Sequence, residues 1–282
     1  MKLLTHFMLI GALAIAGASH AQDYKRIASA GGDITEIIYG LGAGDRVIAV
    51  DSTSGYPAAV KDKAQIGYVR GLSAEGVLSI APDLLIGADD MGPPNVIDNL
   101  RAANLDVAIA PLGQGGDRVV TKIKFVGETL GLQTRADELI ADYSAKMAAL
   151  ADQVDALKTK PRVLFILSMR DGAPIVGGAE TSANDIIELA GGVNVGEGFS
   201  GWKPMNSEAL IAANPDVIVM SASHAENMGD DGAVLDRADI KLTNAGKAEN
   251  LVKMDAMLLL GFGPRTPTAV AELMHHIHPH SH

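Results

Sequence analysis

One fourteen-residue pattern occurs twice. "SAEGVLSIAPDLLI", Ser73 to Ile86, aligns without a gap on "NSEALIAANPDVIV", Asn206 to Val219. Ser or Asn opens each copy, Glu75 matches Glu208, and Pro82-Asp83 matches Pro215-Asp216. Each copy reads as a short helix, a Pro-Asp stop and a buried strand, because proline cannot continue a helix and the apolar run has strand length. A looser pair lies ahead of each copy: "DITEIIYGLGAGDRV" from Asp33 and "SANDIIELAGGVNV" from Ser182. Two matches in the same order, at a period too long for a solenoid, predict two lobes built on one plan.

Each half alternates strand-like and helical segments. "RIASA", "RVIAV", "DLLIG" and "VAIAP" fall in the first half, and "RVLFIL", "PIVGG", "DVIVMS" and "LVKMD" in the second. This alternation predicts an α/β fold of Rossmann-like lobes with mostly parallel sheets. Between the halves, Leu139, Ile140, Tyr143, Met147, Leu150, Val154 and Leu157 recur every three or four positions without an internal Gly or Pro. That is one amphipathic helix; some 24 residues would run ~36 Å, enough to brace both lobes. The expected layout is residues 22–132 for the first lobe, 133–160 for a rigid connecting helix, 161–274 for the second lobe and 275–282 for a His-rich tail. A cleft between the lobes is the default ligand site.

The chain opens with Lys2, an apolar run from Phe7 to Ala16, and Ser19-His20-Ala21. The run is shorter than the ~20 residues that span a bilayer. Residues 1–21 therefore read as a secretory signal peptide, and the protein as exported. There are no cysteines, which excludes disulfides, thiol nucleophiles and Cys-metal sites. A net charge of −11 argues against nucleic acid, whose phosphates need a basic face.

Enzyme signatures are scarce: there is no G-x-S-x-G elbow and no P-loop. "GLGAGD" (Gly40 to Asp45) ends a helix instead of following a strand, so it reads as a C-cap and turn. Beyond the leader, His224 is the one histidine outside "HHIHPHSH". A Zn²⁺ or Mn²⁺ receptor would draw several His and carboxylate ligands from the body of the chain.

"GYVRGL" carries the chemistry. A phenolate is a hard oxygen ligand suited to ferric iron, and tyrosine is an axial haem ligand. With a free pKa near 10 it needs help to ionise. A guanidinium two residues on could give it by donating hydrogen bonds, since residues i and i+2 of an extended segment face the same way. Tyr68 and Arg70 fit that pattern; they also fit a tyrosine at the lip of a core beside a surface arginine.

"GGDITEIIYGLGAGDRVIAVDSTS", "IGYVRGLSAEGVLSIAPDLLI", "GFSGWKPMNSEALIAANPDVIV" and "MLLLGFGPRTP" together resemble the periplasmic haem-binding proteins of bacterial haem ABC importers, across nearly all of the chain. The "DSTS…GY-x-R-x-L-x-AEG" pattern is the specific part. The Glu-helix-Pro-Asp-strand unit is shared with the wider group of cobalamin and siderophore receptors. The resemblance implies a receptor, not an enzyme, that holds ferric haem (haem b) between two lobes. It makes Tyr68 the iron ligand and Arg70 its support, with Tyr56 of "SGYP" the competing tyrosine. Some relatives place a histidine after the strand matching "VLFILS"; here Met169 stands there, followed by Arg170. Met169, Arg170, Trp202 and Arg265 are the further candidate haem contacts, the arginines for the propionates. His224 is a weaker candidate for the iron. Glu75 and Glu208 would dock on the two-fold permease of an inner-membrane ABC importer, with an outer-membrane haem receptor upstream. The alternative ligand is cobalamin or a ferric siderophore.

Overall fold

In the computed structural model, residues 23–113, 117–227 and 232–279 are described. The leader at 1–21 lies outside them. Five parallel strands form the first sheet, in the order β3-β2-β1-β4-β5: β1 Ile27–Ala30, β2 Val47–Val50, β3 Ala64–Gln65, β4 Leu84–Gly87 and β5 Asp106–Ile109. The second contains β6 Arg162–Arg170, β7 Ala173–Gly177, β8 Val193–Asn194, β9 Trp202–Pro204, β10 Val217–Ser221 and β11 Leu251–Met254, in the order β11-β10-β6-β7-β9, with β8 beside the start of β6. All eight runs read as strands in the sequence are strands.

The second sheet departs from the parallel plan. β7 is antiparallel to both β6 and β9. The turn between β6 and β7 is Asp171-Gly172, both with positive φ (50° and 79°), the mirror-image turn whose twist suits a hairpin.

The duplicated pattern is a structural duplication. Ser73 Oγ accepts from the Gly76 amide at 3.2 Å, and Asn206 Oδ1 from Ala209 at 2.8 Å, capping their short helices. At matching positions Ala81 and Asn214 turn the chain with φ of 50° and 40°. The Asp83 carboxylate then accepts from the Lys25 and Arg26 amides, and the Asp216 carboxylate from Arg162. Arg26 and Arg162 donate in return to carbonyls of the chain just before each Pro-Asp. Pro-Asp therefore both stops a helix and stitches the next strand to the central strand of its sheet. Asn206→Ala should cost about 1 kcal/mol in a urea melt, the usual loss for an N-cap.

The connecting helix runs from Gln133 to Asp155, 23 residues, with Ala136, Tyr143 and Leu150 buried. At 1.5 Å per residue it is ~35 Å long. It packs on the Arg118–Leu130 helix of the first lobe and the Thr266–Ile277 helix of the second. One continuous apolar core holds Ile27 and Ile123, Tyr143 and Leu150, and Phe165 and Leu273. The boundary expected before residue 275 falls inside the last helix, which includes His275 and His276. His278 is buried, its ring 3.2 Å from the Ala190 carbonyl, because the helix end is pinned against the second lobe. No helix among the described residues is long and apolar enough to cross a membrane.

Candidate functional site

The carboxyl ends of the first sheet's five strands, with parts of β6 and β9 and the segments after β7 and β11 of the second sheet, open onto one cleft of about 970 Å³ between the lobes. Ligands of open α/β sheets bind at such ends. The first lobe supplies Gly31 after β1, Thr53 after β2, Tyr68 to Arg70 after β3, Ala88 to Asp90 after β4 and Leu112 after β5. The second supplies Leu167 of β6, Thr181 and Asp185 beyond β7, Trp202 of β9, and Met257 and Leu260 after β11.

Tyr68 precedes a single 3₁₀ turn, Val69–Gly71, and is 47% exposed at the cleft wall. Val69 is buried in the core beneath and ties the turn to the loop after β4, its carbonyl accepting from Gly92 at 2.9 Å. Arg70 Nε donates to Asp90 Oδ2 at 2.6 Å. That bond, with Tyr68 a smaller contributor, raises the Arg70 pKa. Leu112 and Trp202, exposed at the rim, place further apolar surface on the two walls.

Every cation of the lining has a carboxylate. Lys122 Nζ lies 2.6 Å from Asp33 Oδ2, both side chains more than nine-tenths buried. Arg118 reaches across to Asp185 of the opposite lobe at 2.5 Å and lies over the Phe262 ring at 4.7 Å. Beside the cleft the relation is mirrored: Arg265 of the second lobe donates two bonds to Glu36 of the first and stacks 4.1 Å from the Tyr56 ring. Burial pushes the Glu36 carboxyl up, and Arg265 opposes it. Desolvation, then Asp90, push Asp89 up. These two crossed pairs bridge the lobes.

A family profile described as periplasmic binding protein matches residues 27–258. The chain belongs to the periplasmic binding protein family. This periplasmic binding protein is therefore a substrate-binding protein of the ABC-transporter kind and not an enzyme. The periplasmic haem-binding protein RhuT from Roseiflexus sp. RS-1, in its apo form, is 36% identical, superposes with a TM-score of 0.86, and the match covers 92% of this chain and 99% of that one. A vitamin B12-binding protein of Vibrio vulnificus is 24% identical over 98% of this chain and 97% of its own. An ABC transporter substrate-binding lipoprotein, YvrC of Bacillus subtilis, is 28% identical over 90% of this chain and 80% of its own.

Of the residues singled out in the sequence, Tyr68, Arg70 and Trp202 of this binding protein line the cleft. Met169 and Arg170 do not. A bulge shifts the β6–β7 register between Ile166 and Ser168. An extra residue in one strand inverts which face the next side chains take. Leu167 keeps the face of Val163 and Phe165 and lines the cleft, while the extra residue turns Met169 to the far side with Leu164, Ile166 and Val176. Arg170 is exposed at the hairpin end. Arg265 and Tyr56 line a neighbouring recess of about 490 Å³, with Arg265 committed to Glu36. His224 lies in the Ala222–Asn227 helix and is not among the residues of the cleft wall. Glu75 and Glu208 stand exposed in the first turns of the duplicated helices. The sequence reading missed Leu112, Leu167, Asp89, Arg118, Lys122, Met257 and Leu260. Leu112, Leu167, Asp89 and Met257 share a signal, position just past or near the end of a strand run, whereas Arg118 and Lys122 stand in the first turns of a helix and Leu260 ends one.

Proposed function

We propose that this protein binds ferric haem in the interlobe cleft through the Tyr68 phenolate and delivers it to an inner-membrane ABC importer. The carrying observation is a half-exposed tyrosine on the wall of a cleft near the upper end of the size range for small-molecule sites, faced by Leu167, Trp202, Met257 and Leu260 from the other lobe. A flat apolar ring between those walls would bring its central metal to the phenolic oxygen. The iron, with the nearby Arg70 charge, would drive the phenol to ionise. The haem-binding RhuT, alike in sequence and fold, supports the reading. Periplasmic export rests on the leader and the family. Glu75 and Glu208, equivalent and exposed, suit a two-fold permease. Release would follow if docking strained the Tyr68 geometry or parted the lobes.

A second reading, cobalamin, is favoured by the vitamin B12-binding relative. One titration separates them. Trp202 is the only tryptophan in the chain and stands on the cleft wall, so its fluorescence reports occupancy. Saturable quenching by ferric haem, with a tyrosinate charge-transfer band in the visible spectrum, is the expected result. Saturation by cyanocobalamin or a ferric siderophore but not by haem would sink the haem reading.

A further inference from the structure

Asp51, at the first position after β2, has no exposed surface and takes no part in the chemistry above. Its carboxylate accepts from three backbone amides, Gly31 at 2.9 Å, Thr53 at 3.1 Å and Val69 at 3.2 Å. It also accepts from the hydroxyls of Thr53 at 2.8 Å and Ser54 at 2.9 Å. Three loops therefore converge on one side chain: those after β1, β2 and β3. The network extends outward, with Thr53 Oγ1 accepting from the Gly32 amide and Ser54 Oγ bonded to Thr35.

The contacts around Tyr68 are specific. The Ser52 amide donates to the Gly67 carbonyl at 2.7 Å, and Asp51 accepts from the Val69 amide. Consecutive residues 51 and 52 thus grip the chain on both sides of Tyr68 and leave only its side chain to project. A residue held at both flanking peptides has a fixed origin for its side chain, and a metal ligand needs such placement from groups beyond the metal's own shell.

We propose that Asp51 is the positioning residue for Tyr68, setting where the phenol oxygen stands in the cleft; this rests on the haem reading above. A carboxylate suits the place because it offers acceptors only, against five donors. Asparagine has the same shape but turns an NH₂ toward N–H groups, so at least one loop loses its anchor.

The test uses the full mature chain with ferric haem: wild type, Asp51→Asn, Ser54→Ala and Tyr68→Phe, each melted to verify folding. Asp51→Asn should shift and weaken the tyrosinate charge-transfer band and lower affinity roughly tenfold, a loss of the size seen when a ligand's orienting partner is removed. Ser54→Ala removes one hydroxyl but leaves the Val69 link, and should keep the wild-type band. A folded Asp51→Asn protein with an unshifted band and unchanged affinity overturns the assignment. Identical spectra for wild type and Tyr68→Phe would instead defeat the haem-ligand reading. Hydrogen exchange in the wild-type apo protein reads the anchor without any variant or ligand. The Val69 amide should exchange at least ~100-fold slower than in an unstructured chain; an unprotected Val69 amide overturns the proposal.

Discussion

Tyr68→Phe is expected to abolish the visible charge-transfer band of the ferric complex and to weaken haem binding about 100-fold, or about 2.7 kcal/mol. The substitution is clean for three reasons. The Tyr68 side chain makes no cap bond to the turn that follows it. At 47% exposure, losing the hydroxyl strands no buried partner. The phenyl ring remains part of the cleft wall. Melting temperature should therefore hold while the iron loses its protein oxygen. Residual binding would come from the walls themselves, chiefly Leu112 on one side and Leu167, Met257 and Leu260 on the other. The measurement is competition against a haem acceptor of known affinity, read beside the spectrum. Equal affinity in the two proteins would mean the walls alone hold the ring and Tyr68 is only part of them.

The legible part of the fold was the part written in local chemistry. Ser73 and Asn206 cap, Pro-Asp stops, and the apolar runs are strands, so the duplication could be read directly. The hairpin was also on the surface of the sequence, as Asp171-Gly172 between two apolar runs, a strong short-range turn signal. The alternation of strands and helices, which predicts mostly parallel sheets, does not include it. The bulge at Leu167 has no such mark. It depends on the register β7 takes against β6 within that hairpin, which no single residue announces, and it sends Met169 away from the cleft. The same holds for the crossed pairs. Arg118 finds Asp185 and Arg265 finds Glu36 only once the lobes are set face to face. Yet their symmetry has a local root, since Glu36 and Asp185 occupy matching places in the looser repeat. Asp51 was visible within "DSTS", but its five donors come from three loops and could not be assigned before those loops were placed.

Lys122→Met should cost roughly 3–5 kcal/mol, the usual result of stripping one partner from a buried ion pair. For a chain this size that lowers the melting temperature by roughly 6–20 °C. The site explains why the upper part of that range is reachable. Lys122 is 2.6 Å from Asp33, with the two side chains only 6% and 8% exposed. Asp33 also acts on two other carboxylates, raising both Glu36 and Asp89, while Lys122 lowers Asp89. Removing the ammonium thus leaves Asp33 without its partner and restores repulsion toward Asp89 at the floor of the cleft. Arg265 already serves Glu36 and is not positioned by these bonds to replace it. Methionine is close in length and flexible enough to fill the space, so the loss reports charge more than cavity. The double variant Asp33→Asn/Lys122→Met should recover most of the stability, because it removes the charge that was stranded. A calorimetric cycle over the four proteins checks this. If both single changes and the double cost the same small amount, the pair is solvated in solution and the cleft floor is wetter than its burial implies.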